Sequence, residues 1–395
     1  MKKFLDLGMQ PLANKYLTRN DLKNKKKEKL YHLEVGFDKK TKLVSILNKV
    51  SSEKMFDNKY PYRSSMSKTM TKSFKILANK ITKVYNPKII LEIGSNDGSL
   101  IKNFKKKKVI CVEPCKNLAI ITKNKGFKTY ADYWNINLAK KVKSKHGKVD
   151  LIYSANTLSH ISDLNSVFKS IAHVLSDDGI LIIEDPSLLE CLKKVAYDQF
   201  YNEHIYVFSL LSIKNILQKF NLEVFDTEIL KTHGGSIRYF IKRTKNFNIK
   251  VNISVKKQLK NELRFRMDKF STYITFKKKV EKSKIKLVNL FHKIKKDKKK
   301  IIGYGSTAKS VTVLNYCDIK SETLEYFVDT TPNKTKKYMP GTHIYVDQYK
   351  QDLLDGVDYI FLGAWNFKEE IFKKEKKYIK NGGKFITHIP TPQII

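Results

Sequence analysis

Cysteine is scarce in this 395-residue chain: there are four, at positions 111, 115, 191 and 317. The only close pair, Cys111 and Cys115, has neither a second pair nor a histidine cluster near it in the sequence. That excludes a disulfide-stapled scaffold, argues against metal binding and suits a reducing compartment. No run approaches the roughly 18 apolar residues of a membrane span, so no membrane partner is expected. The start, Met1-Lys-Lys-Phe-Leu-Asp6, lacks the apolar core of a secretory signal, which points to the cytoplasm. Arginine is scarce as well: six of the 78 basic residues, at positions 19, 63, 238, 243, 264 and 266, against 38 acids and a net charge of +40. A nucleic-acid binder concentrates guanidinium and aromatic groups on one surface. Here lysines are spread along the whole chain, and their densest runs, residues 25–27, 105–108 and 293–300, read as solvated faces and turns. No nucleic-acid partner is expected; the charge helps draw in an anionic small substrate.

What the chain does have is alternation. Apolar runs at residues 89–93, 109–112, 150–154 and 180–184 are separated by helical patterns at 67–85, 118–125 and 164–175. This predicts a doubly wound, parallel α/β sheet. A second series begins at 301–304 and continues at 324–328, 359–362 and 384–387, after a lysine-rich helical stretch over 255–300. The expected organisation is a small cap over 1–66, a Rossmann-like domain over 67–250, and a helical connector with a second Rossmann-like α/β domain over 251–395.

The first strand runs into Glu92-Ile-Gly94-Ser-Asn96-Asp97-Gly98. Glycines there let the backbone approach a ligand, and the helix beginning after them offers a positive end. The second strand ends in Glu113, where a carboxylate can take both ribose hydroxyls of an adenosyl group. The spacing E-x-G-x-x-x-G departs from the dinucleotide pattern, and Glu92 and Asp97 repel a pyrophosphate while welcoming a sulfonium and an amine. S-adenosylmethionine (SAM) is therefore expected over NAD. Asp132, at the end of the third strand, suits the adenine amino group; the plain alternative is a turn whose acids cap the next helix. Beyond the fourth and fifth strands lie Ser154-Ala-Asn156-Thr-Leu-Ser-His160 and Tyr197-Asp-Gln-Phe-Tyr201-Asn-Glu203-His204. A histidine beside a carboxylate and a phenol has the makings of a base with its orienting group and an oxyanion partner.

With these motifs the sequence resembles the SAM-dependent sugar C-methyltransferases that act on nucleotide-linked 4-keto-deoxysugars, most of all those that methylate C3. The likeness runs from Leu5-Asp-Leu-Gly-Met-Gln-Pro-Leu-Ala-Asn14 and Tyr60-Pro-Tyr62-Arg-Ser-Ser65 through Glu184-Asp-Pro186 and His233-Gly-Gly-Ser-Ile-Arg238. It continues to Gly303-Tyr-Gly-Ser-Thr-Ala-Lys309-Ser, Asp329-Thr-Thr-Pro332, Pro340-Gly-Thr-His-Ile344 and Ala364-Trp-Asn366. The resemblance implies His204 as base, oriented by Glu203, with Tyr201, Tyr62, Asn156 and His160 as donors to an enolate oxygen. It implies SAM on Glu92, Gly94, Asn96, Asp97, Gly98, Glu113, Asp132 and Asn156, leaving S-adenosylhomocysteine. It implies a nucleotide-diphosphate ketosugar, dTDP-linked, on Tyr60, Tyr62, His233, Arg238, Lys309 and Asn366, handled by a monomer. C5 stays open beside C3.

One part departs. Family members hold zinc in the first domain with a C-x-x-C ahead of Leu-Asp-Leu-Gly and another further on. This chain has Met1-Lys-Lys-Phe4 before that motif and Asp38-Lys-Lys-Thr41 at the second place. No structural zinc is expected, since tetrahedral zinc needs four thiolate or imidazole ligands. Two other readings stay in view. A nucleic-acid methyltransferase is disfavoured by the absence of Asn/Asp-Pro-Pro-Tyr, and of a cysteine, after the fourth strand. A non-catalytic binding protein is disfavoured by the retained Tyr201, Glu203 and His204.

Overall fold

The computed structural model describes residues 1–395 apart from 25–27, 59 and 105–106, so the lysine run 25–27 lies outside the described residues and the run 105–108 partly so. The cap is itself a sheet: β1 (Lys2–Pro11), β2 (Leu30–Phe37) and β3 (Val44–Ile46) pair antiparallel in that order. The central domain contributes β4 (Ile89–Ile93), β5 (Lys108–Val112), β6 (Lys128–Tyr130), β7 (Val149–Ala155) and β8 (Leu175–Pro186). β9 (Tyr206–Val207) then crosses over to close the cap sheet beside β3, and β10 (Leu222–Leu230) and β11 (Ser236–Arg243) return to the central one.

The central order is β10-β11-β8-β7-β4-β5-β6. The five strands β4 to β8 run parallel, as the alternation predicts. Their runs are apolar throughout because both faces are covered; in β4 only Ile89 is less than fully buried. The wholly parallel expectation fails at one edge. Five residues separate β10 from β11, too few for a crossover helix, so the second strand must return antiparallel. The helix Lys68–Val84 covers one face: Ser67 caps it at Met70 N, and Met70, Phe74, Leu77, Ala78 and Ile81 are buried at helical spacing.

The last part repeats the plan with β12 (Ile301–Tyr304), β13 (Tyr326–Asp329), β14 (Lys337–Tyr338), β15 (Tyr345–Gln348), β16 (Tyr359–Leu362), β17 (Lys384–Thr387) and β18 (Gln393–Ile394). Their order is β14-β15-β13-β12-β16-β17-β18, parallel within and antiparallel at both edges. In each sheet the winding reverses at the first strand, since β4 lies between β5 and β7, and β12 between β13 and β16. Ligands of open α/β sheets bind at such switch points, off the carboxyl ends of the strands.

The connector expected over 255–300 is two helices, Ile253–Arg264 and Phe270–Lys296, broken where Arg266 turns to a φ of 57°. The first belongs by packing to the central domain: Glu262 accepts the N–H groups of Leu210 and Leu211 and so caps another helix. The second ties the outer parts together, with Tyr273 stacked on Phe37 of the cap and Phe291 packed edge-on against Phe361 of the last sheet. One apolar cluster takes side chains from cap, centre and C-terminal part alike.

Candidate functional site

Both switch points open on one cleft of about 470 Å³, lined by residues that follow β4, β7 and β12 and by the segment 60–67. On the β4 side, Gly94 has a φ of +76°, and a Cβ there would lie 2.1 Å from Thr157. Only glycine fits. Glu113, at the end of β5, accepts the N–H of Asn96 at 2.8 Å and of Cys115 at 2.9 Å, so it shapes the loop while facing the cleft. Glu92 lines the cleft with one buried carboxylate oxygen lacking a hydrogen-bond partner, and burial, then Glu113 and Asp97, push its pKa up. An unpartnered acid, a glycine cradle and a ribose-type carboxylate fit a cationic adenosyl donor. Asn156 lines the cleft at a φ of 49°.

Asp97 and Gly98 stand behind the loop. Asp97 takes Ser99 Oγ at 2.5 Å and Ser65 N at 3.1 Å, while Asn96 takes Ser64 N and donates to Tyr62 O, which fastens the segment 60–67 over the donor side. Asp132 is exposed, bonded to Tyr133 N and absent from the lining; Tyr133 and Trp134 line the cleft in its place. The buried Trp134 Nε1 has no partner, an N–H donor that the sequence reading missed.

The candidate catalytic residues form an aromatic stack: Phe56 on His160 at 5.5 Å, His160 on His204 at 5.2 Å, and His204 on Tyr201 at 4.0 Å. Gln199 O, which can only accept, holds His204 Nδ1 at 2.9 Å. The Nδ1 nitrogen therefore carries the hydrogen, and Nε2 accepts from the Tyr201 hydroxyl at 2.5 Å. Burial, then His160 and Lys309, hold His204 well below the usual histidine pKa, and burial pushes His160 down to about 4. Both are neutral at pH 7, and His160 Nε2 is buried without a partner.

Glu203 does not orient His204, which corrects the sequence expectation. It holds Asn14 Nδ2 at 2.7 Å and the Tyr60 hydroxyl at 2.9 Å, pinning cap and segment 60–67 to the loop that carries Tyr201 and His204. The imidazole's holder is Gln199, which lies in the singled-out segment 197–204 but was given no role. Tyr62 and Tyr60 line the cleft, as does His233, held neutral by burial with its pKa pushed down to about 3.

Arg238 is also corrected. It sits on β11, 4% exposed, with its guanidinium on Glu184 and Glu228, and Glu184 also takes the Tyr153 hydroxyl. Its charge is spent in the core, away from the cleft. Lys309 and Asn366 do line it. Lys309 Nζ donates to His233 O at 3.1 Å, and Lys334, unmarked by the sequence, donates to Ser306 O at 2.8 Å; both are buried ammonium groups. Between them the helix Ala308–Tyr316 starts with a capping box at Thr307, behind Gly305 with a φ of +80°.

A likeness to known proteins covers the whole chain. Residues 62–227 match a family described as a methyltransferase domain, 231–390 one described as a C-methyltransferase C-terminal domain, and 1–56 one described as a zinc binding domain. The chain is 27% identical over 396 residues to the C-methyltransferase NovU of Streptomyces niveus, covering 99% of this chain and 93% of that one. Among solved structures, a SAM-dependent methyltransferase of Clostridium acetobutylicum is 16% identical, with a TM-score of 0.35, over 44% of this chain and 92% of its own. The magnesium protoporphyrin IX methyltransferase of Synechocystis is 14% identical, with a TM-score of 0.34, over 44% and 79%. The residues of the 1–56 match do not suit a thiolate zinc site, because no cysteine precedes Cys111. Among the described residues a cluster of Asp6, His32 and Glu34 does lie close together, but Lys3 is already at 2.6 Å from Glu34 and 3.5 Å from Asp6. Donor loop, buried histidine cluster and three matches in chain order agree: the chain is an S-adenosylmethionine-dependent C-methyltransferase.

Proposed function

We propose that the acceptor is a nucleotide-linked 4-keto-deoxysugar, dTDP-linked by resemblance, methylated at the ring carbon beside the ketone, C3 in this reading, through an enolate. SAM, when bound, supplies an electrophilic methyl group; the remaining work falls to the chain. The observation that carries the reading is the His204–Tyr201 pair, its Nδ1 committed to Gln199 and its Nε2 the one basic nitrogen, in the cleft that also holds the donor loop. A carbon is not nucleophilic until the proton beside the carbonyl is removed. His204 Nε2 takes that proton, and the Tyr201 hydroxyl turns to the enolate oxygen, with His160, Asn156 and Tyr62 in the same lining as further donors.

The nucleotide part is supported by Lys309, Lys334 and the start of the helix Ala308–Tyr316. Two buried ammonium groups beside a positive helix end suit a diphosphate. Tyr60, His233 and Asn366 remain for the sugar. One chain supplies every group named, which favours a monomer, and we place the enzyme in the cytoplasm. Labelled SAM with a panel of 4-keto nucleotide sugars tests the reading: label should enter one of them at C3. Label only in duplex DNA or RNA, or none on any ketosugar, would overturn it.

A further inference from the structure

The short turn Tyr197–Gln199 faces two ways. Towards the cleft, Gln199 O holds His204 Nδ1 and Gln199 Nε2 donates to His233 O, which also receives Lys309 Nζ. Away from it, Asp198 reaches into the C-terminal domain. Its Oδ2 accepts the Trp365 indole N–H at 2.6 Å and His388 Nε2 at 3.1 Å. Asp198 and His388 are both fully buried, and none of Asp198, Trp365 and His388 lines the cleft.

A carboxylate enclosed in a protein is destabilising unless it is paired, and an apolar plug of its size serves packing at least as well. This one ties the residue next to the holder of the base to the domain across the cleft. Both donors converge on one oxygen, while Oδ1 has no hydrogen-bond partner, so the contact fixes a direction. The packing is close around it: a Cβ on Gly234 would lie 2.2 Å from the Trp365 ring.

We propose that Asp198 is a positioning residue for carbon methylation: gripped by Trp365 and His388, it fixes the turn whose Gln199 carbonyl holds His204, so that the C-terminal domain sets the tautomer and aim of that imidazole. The proposal rests on the reading of His204 as the base. It explains why the domain expected to hold the nucleotide also carries a half-buried indole and a buried imidazole aimed at the central domain. The base is held correctly only when the two domains are docked. In metal sites, groups that hold the far nitrogen of a ligating histidine fix its tautomer in the same way.

The test uses the full-length enzyme in heavy water with the ketosugar and S-adenosylhomocysteine, where exchange of the α-proton reports the base step alone. Trp365→Phe keeps an aromatic ring and removes the N–H. His388→Gln keeps a donor near the place of Nε2, whereas His388→Asn is too short to reach. Trp365→Phe and His388→Asn should each slow exchange and kcat about tenfold or more, with KM and S-adenosylhomocysteine affinity within about twofold. His388→Gln should stay within about threefold of wild type. Normal exchange in Trp365→Phe and His388→Asn, with His204→Ala inactive, would reduce Asp198 to a structural contact and overturn the proposal. Equal losses in His388→Gln and His388→Asn, or losses that track melting temperature across all variants, would overturn it too. Exchange persisting in His204→Ala would remove the base assignment and the proposal with it.

Discussion

An imidazole whose Nδ1–H is committed to a carbonyl has one nitrogen left for chemistry. His204 is in that state, and His160 and His233 are kept neutral beside it. Their folded pKa values lie below the unfolded value of about 6.5. As pH falls through about 6.5 the unfolded chain takes protons that the folded chain refuses, so stability falls, and the loss continues down to about 4 for His160 and about 3 for His233. Melting temperature should therefore decline more steeply below pH 6.5 in the wild type than in a His160→Gln, His233→Asn double variant. Equal slopes would mean that these rings are charged in the folded protein. Glu113→Ala should weaken S-adenosylhomocysteine binding at least about tenfold, since it removes the proposed charge-assisted partner of the ribose and the anchor of Asn96 N; unchanged calorimetric affinity would take Glu113 out of the site. Local signals made Glu92, Glu113, His160 and His204 legible in the sequence. Arg238 misled because its partners Glu184 and Glu228 lie on neighbouring strands, and pairing of that kind is not written near Arg238. Gln199 stood in the singled-out segment 197–204, but its role was not legible because it acts through its carbonyl, which every residue has.

At the scale of elements, the turn after β4 depends on one missing side chain. Gly94→Ala adds a Cβ into Thr157 at a φ of +76°; it should cost about 1 to 3 kcal/mol of stability and most of the donor affinity. Adding Thr157→Ala should recover part of the loss, because it clears the collision and leaves only the strain; no recovery in a melting curve would contradict the geometry. Parallel strands and the helices Lys68–Val84, Lys116–Asn124 and Leu164–Val174 were readable because continuous apolar runs between helical patterns have few other solutions. The helix expected after Gly98, by contrast, is only the 3-10 turn Ile101–Asn103, and the helix Ile136–His146 was not foreseen. The hairpin of β10 and β11 and the two-residue β9 were not readable. The first depends on a short turn, and the second on a partner, β3, more than 150 residues away.

At the scale of the whole molecule, the cap is part of the active-site frame. Asn14 holds Glu203, the Tyr16 hydroxyl donates to Ser306 O at 2.8 Å, and Leu17 pairs with Tyr338 of the last sheet. Packing can hold such a cap without a metal. Purified protein should carry far less than one zinc per chain, and a chelator should leave its melting temperature unchanged; one zinc per chain would reveal a site built from other ligands. The central claim is that His204 removes the proton beside the ketone, and proton exchange tests it most directly. With S-adenosylhomocysteine in place of SAM, the wild-type enzyme in heavy water should exchange the α-proton of its ketosugar, followed by proton NMR. His204→Ala should exchange it at least about a hundredfold more slowly while binding S-adenosylhomocysteine nearly as well. Exchange at the wild-type rate in His204→Ala would contradict the account.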